Sequence, residues 1–230
     1  MKRSVISIAI AAGLFAVGVA ATIDAVVIKR TATVGQKINL SLDGTLNVGG
    51  QDLTITGKGV DTVKAVDADG NVTTESSQSD LEINGSPVQA NDSTTTTVSK
   101  PSGELVSMIS AQPDNANGGR FQILISVYYP KDPVNVGDTW KMDLKPDAKL
   151  GGVPVKVEMK YSGDEKVGDA DTEKLEGSVT ETSGDTPASS KSTYWVSKAD
   201  GSLVKQTSEL KDAPLGPTTA SGKINLTRTN

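Results

Sequence analysis

The chain has 230 residues, a formal charge of −5, and neither cysteine nor histidine. Without histidine, Ser–His–Asp hydrolases, Cys–His proteases and most zinc enzymes are excluded together. Without cysteine there are no disulfides, so the core must hold the fold. With no Lys/Arg cluster against the acidic balance, nucleic acid and anionic membrane surfaces are poor partners.

Residues 1–21 read as a signal peptide. Lys2 and Arg3 form a positive start, Val5 to Val19 is an apolar run, and Val19 and Ala21 suit a cut before Thr22. The apolar stretch is too short for the roughly 20 residues of a spanning helix. After cleavage no transmembrane span remains in the sequence pattern, and loss of Lys2 and Arg3 takes the charge from −5 to −7.

Period-2 alternation dominates the chain from Thr22 onward. Ile38, Leu40, Leu42, Leu46 and Val48 share even positions, as befits a strand with one buried face, and Val153 to Tyr161 repeats the pattern on odd ones. Gly49-Gly50, Asp69-Gly70-Asn71, Gly151-Gly152 and Asp200-Gly201 punctuate the runs as turns. Third strands are expected over Asn71 to Ile83 and Glu173 to Thr182. A fourth in each unit approaches a Lys-x-x-Gly turn, and a run returns from it. The connecting segment is expected to carry a strand over Phe121 to Tyr129, and Lys223 to Thr227 to close the chain. No stretch after the signal shows a sustained 3.6-residue period.

The chain also repeats itself. A shift of 102 residues lays Val34 to Asp69 on Val136 to Asp171 without a gap, Val-Gly opening both copies and Asp-Ala-Asp closing both. A shift of 98 lays Val98-Ser-Lys-Pro-Ser-Gly-Glu-Leu-Val106 on Val196-Ser-Lys-Ala-Asp-Gly-Ser-Leu-Val204. The expected organisation is therefore a first β repeat over 22–111, a connecting segment over 112–135, a second β repeat over 136–210, and a loop and closing strand over 211–230. Residues 22–230 would form one compact domain. The fold class is all-β: an antiparallel curled sheet, barrel or half-barrel, built from two tandem four-stranded repeats. Gly57 and Gly59, on the inward face of a strand, favour sharp curling.

No catalytic constellation, metal cluster or cofactor loop stands out. The Asp67-Ala-Asp-Gly-Asn71 turn places oxygens at alternate positions, but its Gly comes too early for a calcium loop, and a hairpin turn accounts for it. The aromatic residues are the candidate site. Apart from Phe15, all lie between Phe121 and Trp195, and Thr22 to Arg120 holds none. Trp140 aligns with Ile38, Tyr161 with Gly59, Tyr194 with Thr96 and Trp195 with Thr97. Either the rings fill one asymmetric core, or Trp140, Tyr161, Tyr194 and Trp195 border an apolar groove that binds a ligand.

The segment Tyr194-Trp-Val-Ser-Lys-Ala-Asp-Gly-Ser-Leu-Val-Lys205 resembles the hairpin of bacterial lipoprotein-carrier and related lipid-binding half-barrel envelope proteins. The resemblance covers a dozen residues and their echo at Val98 to Val106. It implies an unclosed antiparallel barrel that shelters acyl chains, and no single residue's role carries over.

These features together point to an exported bacterial envelope protein, periplasmic, cell-surface or extracellular. It would be non-enzymatic and would bind an apolar small molecule or lipid in its curled sheet. The alternative is a structural or interaction module of the cell surface, with a filled core and an envelope protein as partner.

Overall fold

A computed structural model describes residues 25–88, 94–110 and 115–229; the signal segment 1–21 lies outside them. The first half of the chain forms β1 (Lys37–Val48), β2 (Gln51–Val66), β3 (Val72–Ile83), a short β4 (Ser86–Pro87), β5 (Thr95–Ser99) and β6 (Leu105–Ser110). A helix, α1 (Asn115–Ile125), intervenes. The second half forms β7 (Thr139–Leu144), β8 (Val155–Val167), β9 (Ala170–Glu181), β10 (Ser189–Ser197), β11 (Leu203–Leu215) and β12 (Thr218–Thr229).

All the strands share one antiparallel sheet in the order β6-β5-β3-β2-β1-β12-β11-β10-β9-β8-β7, with β4 beside β3. It is curled and not closed. Each half is a meander in which consecutive strands are neighbours, and the return strands β6 and β11 continue it beyond the fourth. The halves meet through β12, which pairs with β1 on one side and β11 on the other. Among the described residues no helix is long and apolar enough to cross a membrane.

The strand sequence is shared by the halves, but the register is not. Leu40 pairs with Gly59, whereas Met142, 102 residues on from Leu40, pairs with Val157 instead of Tyr161. The 3-10 turn Ala148–Leu150 removes residues from the strand that β1 runs straight through, and β7 is correspondingly short. The offset is even, so inward positions stay inward.

The strand expected over Phe121 to Tyr129 is corrected. Phe121 to Ile125 belong to α1, and Ser126 to Tyr129 lie in no strand. Gly118-Gly119 looks like turn chemistry in the sequence, since glycine weakens a helix by about 1 kcal/mol relative to alanine. Here both glycines are contact points. A Cβ on Gly119 would sit 2.8 Å from Leu150 Cα, and one on Gly118 3.0 Å from the Met108 methyl. The helix lies that close to its neighbours because those side chains are missing. Its apolar residues, Phe121 and Ile123 to Ile125, run consecutively because the helix has apolar surroundings on more than one side, which hides the period.

The main core lies between α1 and the second half. Val157, Leu175, Val179, Tyr194 and Val196 are wholly buried there, joined by Tyr161, Met159 and Leu124.

Candidate functional site

Three strands of the second half anchor α1. Ser190 Oγ on β10 donates to the Leu124 carbonyl at 2.6 Å, and Gln206 Nε2 on β11 donates to that of Ile125 at 2.8 Å. Tyr128 Oη donates to the Ile123 carbonyl at 2.9 Å. Carbonyls in the last turn of a helix have no partner within it, so these donors fix the helix end against the sheet. Arg120 adds a two-pronged ion pair to Glu181 on β9, at 2.7 and 2.8 Å. The Glu181 carboxylate also accepts the Ala188 amide, and its own exposure is only 3%. A bidentate, partly desolvated pair of this kind holds orientation as well as charge.

α1 also touches β6 through Gly118 and Met108, but its polar anchors all lie on the second half, and the concave face of β1 to β3 is left open beside it. A groove of about 670 Å³ opens there, within the usual range for small-molecule sites. Its floor is the inward face of β1 and β2: Leu40, Leu42 and Leu46 beside Ile55, Gly57 and Gly59. Gly57 pairs with Leu42 and Gly59 with Leu40, so the glycines deepen the groove at its middle. A Cβ on Gly59 would have only the Ser77 carbonyl within 4 Å, at 3.6 Å. Phe121, Ile125 and Val127 form the opposite wall.

The groove has two ends of different character. Leu46, Ile55, Leu81, Ile83 and Leu215 make one apolar. At the other, Thr74 and Ser76 of β3 and Asp61 of β2 point inward, with Arg30 and Lys100 at the margin. Ser76 Oγ donates to Asp61 Oδ1 at 2.6 Å. Burial raises the Asp61 carboxyl above its usual range, opposed by the Ser76 hydrogen bond and the Arg30 charge.

The four aromatic candidates lie elsewhere. Tyr161 and Tyr194 face inward on either side of Leu175 and are core residues, 2% and 0% exposed. Tyr161 Oη donates to Asp164 Oδ1 at 2.6 Å. Trp195 points out of the opposite face, with the Lys174 and Lys205 ammonium groups 5.4 and 4.8 Å from its ring centroid. Trp140 packs against the core from β7 and borders a shallow, open depression of about 620 Å³ among Lys141, Glu158 and Glu176. None of the four lines the larger groove. Sequence contrast located the asymmetry between the halves, but Tyr161 and Tyr194 fill the core of theirs, and the larger groove lies where side chains are small or aliphatic. Gly57 and Gly59, legible as inward-facing, were its signal.

The Asp67 carboxylate is engaged within its own turn. It accepts the Asp69 and Asn71 amides at 2.9 and 2.8 Å and Asn71 Nδ2 at 2.8 Å. These bonds hold it below the normal carboxylate range, the Asn71 side chain contributing most.

No protein-family model matches the chain. No curated protein matches it either. Among solved structures it is similar to the hypothetical lipoprotein YmcC of Escherichia coli K12, at 9% identity and a TM-score of 0.34 over 87% of this chain and 91% of that one. A DUF1329 family protein of Desulfovibrio piger shows 12% identity and a TM-score of 0.31, over 84% of each chain. A domain of Vibrio parahaemolyticus, described as an outer membrane lipoprotein-sorting protein, shows 10% identity and 0.25, over 84% of this chain and 83% of its own. At these values the likeness is slight, and no ligand or activity transfers from it.

Proposed function

We propose that the protein is an exported, non-enzymatic envelope protein that holds a single acyl chain or similar apolar ligand in the groove of its first half. The observation that carries the reading is the uncovered concave face, with leucine, isoleucine and glycine side by side on its floor. An apolar surface left open to water is costly, at roughly 25 cal/mol per Å², and an apolar occupant recovers that cost. The dimensions suit one chain. From Ile55 to Asp61 the lining runs about 20 Å along β2, at about 3.3 Å per residue. One leaflet of a bilayer, half of a hydrocarbon core about 30 Å thick, is about 15 Å. The remainder leaves room for a polar head beside Asp61 and Ser76.

The filled second half has a different part in this reading: it is the rigid frame that keeps α1 from collapsing onto the groove. Native mass spectrometry of protein isolated from envelope extract should show a co-purifying lipid-sized adduct. It should be lost when the groove is filled by substitution at Gly59. A bare polypeptide mass under gentle conditions, together with no uptake from added lipid, would rule the carrier reading out.

A further inference from the structure

The geometry points to Asp61 as the residue that selects the ligand's head: it favours a hydrogen-bond donor, neutral or cationic, over an anionic head of the same chain length. This rests on the groove being the ligand site. Among the described residues four charged ones line the groove, and three are committed elsewhere. Arg30 donates to the Thr31 and Asp200 carbonyls and to Gln36 Oε1, and pairs with the Asp200 carboxylate at 3.6 Å. Lys100 pairs with Glu104 at 2.8 Å, and Lys58 with Asp80 at 2.9 Å. Among the described residues Asp61 has no ion pair, and its one hydrogen-bond partner is the Ser76 hydroxyl.

An ionised carboxylate accepts at both oxygens, and Ser76 occupies only Oδ1. Burial already disfavours its charge, so a donor brought in by the ligand meets an acceptor short of partners. A hydroxyl satisfies it with a charge-assisted hydrogen bond, and an ammonium also compensates its charge. A carboxylate or phosphate head would instead set two like charges together in a poorly solvated place. The neighbouring Thr74, Ser76, Gln78 and Ser99 supply small polar groups that suit a hydroxylated head. Arg30, whose charge reaches Asp61, is itself held by Gln36 and the Asp200 hairpin.

The test uses three probes of one chain length, hexadecanol, hexadecylamine and hexadecanoate, titrated against the full-length mature protein at pH 8 and read by displacement of a fluorescent apolar dye. The amine and alcohol should each bind at least about tenfold more tightly than the carboxylate, a gap of about 1.4 kcal/mol. Asp61→Asn, which keeps shape and hydrogen bonding but removes the charge, should bring hexadecanoate to within about threefold of hexadecanol. Ser76→Ala leaves Asp61 with fewer donors and should widen the preference for the alcohol and amine. Equal binding of all three probes by the unsubstituted protein, unchanged in Asp61→Asn, would overturn the role of Asp61 and leave the groove reading standing. No binding of any probe would overturn both.

Discussion

The two halves of the sheet run through the same succession of strands and bend the same way, yet one is solid and the other hollow. In the second half the inward positions of β8, β9 and β10 hold Val157, Tyr161, Leu175 and Tyr194, all of them buried in one core cluster. In the first half the inward positions of β1 to β3 hold leucines, glycines, serines and threonines that are mostly half-exposed. Curvature alone therefore does not make a pocket. What decides is where α1 is fastened, and its hydrogen bonds and ion pair to Glu181, Ser190 and Gln206 all lie on one side.

The comparison can be broken most sharply by truncating equivalent kinds of residue. Leu175→Ala removes a wholly buried side chain and should cost about 2–5 kcal/mol in chemical denaturation, whereas Leu42→Ala, half-exposed on the groove floor, should cost about 1 kcal/mol. Similar losses at the two sites would mean that the first half is packed as densely as the second.

A second contrast concerns charge. Glu173 faces into the solid half at 7% exposure, and burial pushes its carboxyl up to about 7, with Lys198 opposing and Asp164 adding to the shift. Its folded value lies above its unfolded one, so the unfolded state releases the proton first as pH rises. The site is neutral at no cost below about pH 4.5, and stability falls as pH rises between about 4.5 and 7. Glu173→Gln should flatten that part of the stability–pH curve and be the more stable protein at pH 7.5. An unchanged slope would show that Glu173 is better hydrated than its surroundings imply.

The gentlest intervention gives the hollow half the kind of side chain its counterpart has. Gly59→Tyr puts a ring on an inward position of the second strand, as Tyr161 is in β8. The backbone there carries no left-handed strain, and space is open above it. Stability should move by no more than about 1 kcal/mol, while uptake of an alkyl probe should fall at least about tenfold. Retained uptake in a folded Gly59→Tyr variant would place the ligand outside the groove.

Much of the fold is legible in the sequence alone. Alternation marks the strands because one face of each meets apolar surroundings, and Gly49-Gly50, Asp67 to Asn71 and Gly201 mark real turns with positive φ at glycine. The helix is not legible there. Its apolar run lacks a period and its two glycines mimic a turn, because both features answer to tertiary contacts with Leu150 and Met108 that local pattern does not record. The site is half legible for the same reason. Side-chain bulk separates the copies, but which copy stays open depends on hydrogen bonds from Ser190 and Gln206 to carbonyls far away in sequence.

One consequence lies in the seat of β12. Asn39 of β1 pairs with Thr229, and every later rung of that ladder joins residues far apart along the chain. A polypeptide made from its N-terminus thus completes its first meander while the β1 border stays bare. Loops that long close slowly and leave a sticky border waiting. Assembly of this protein should accordingly show a late, rate-limiting stitching event, and chaperones that shield bare strand borders would act in the interval before it.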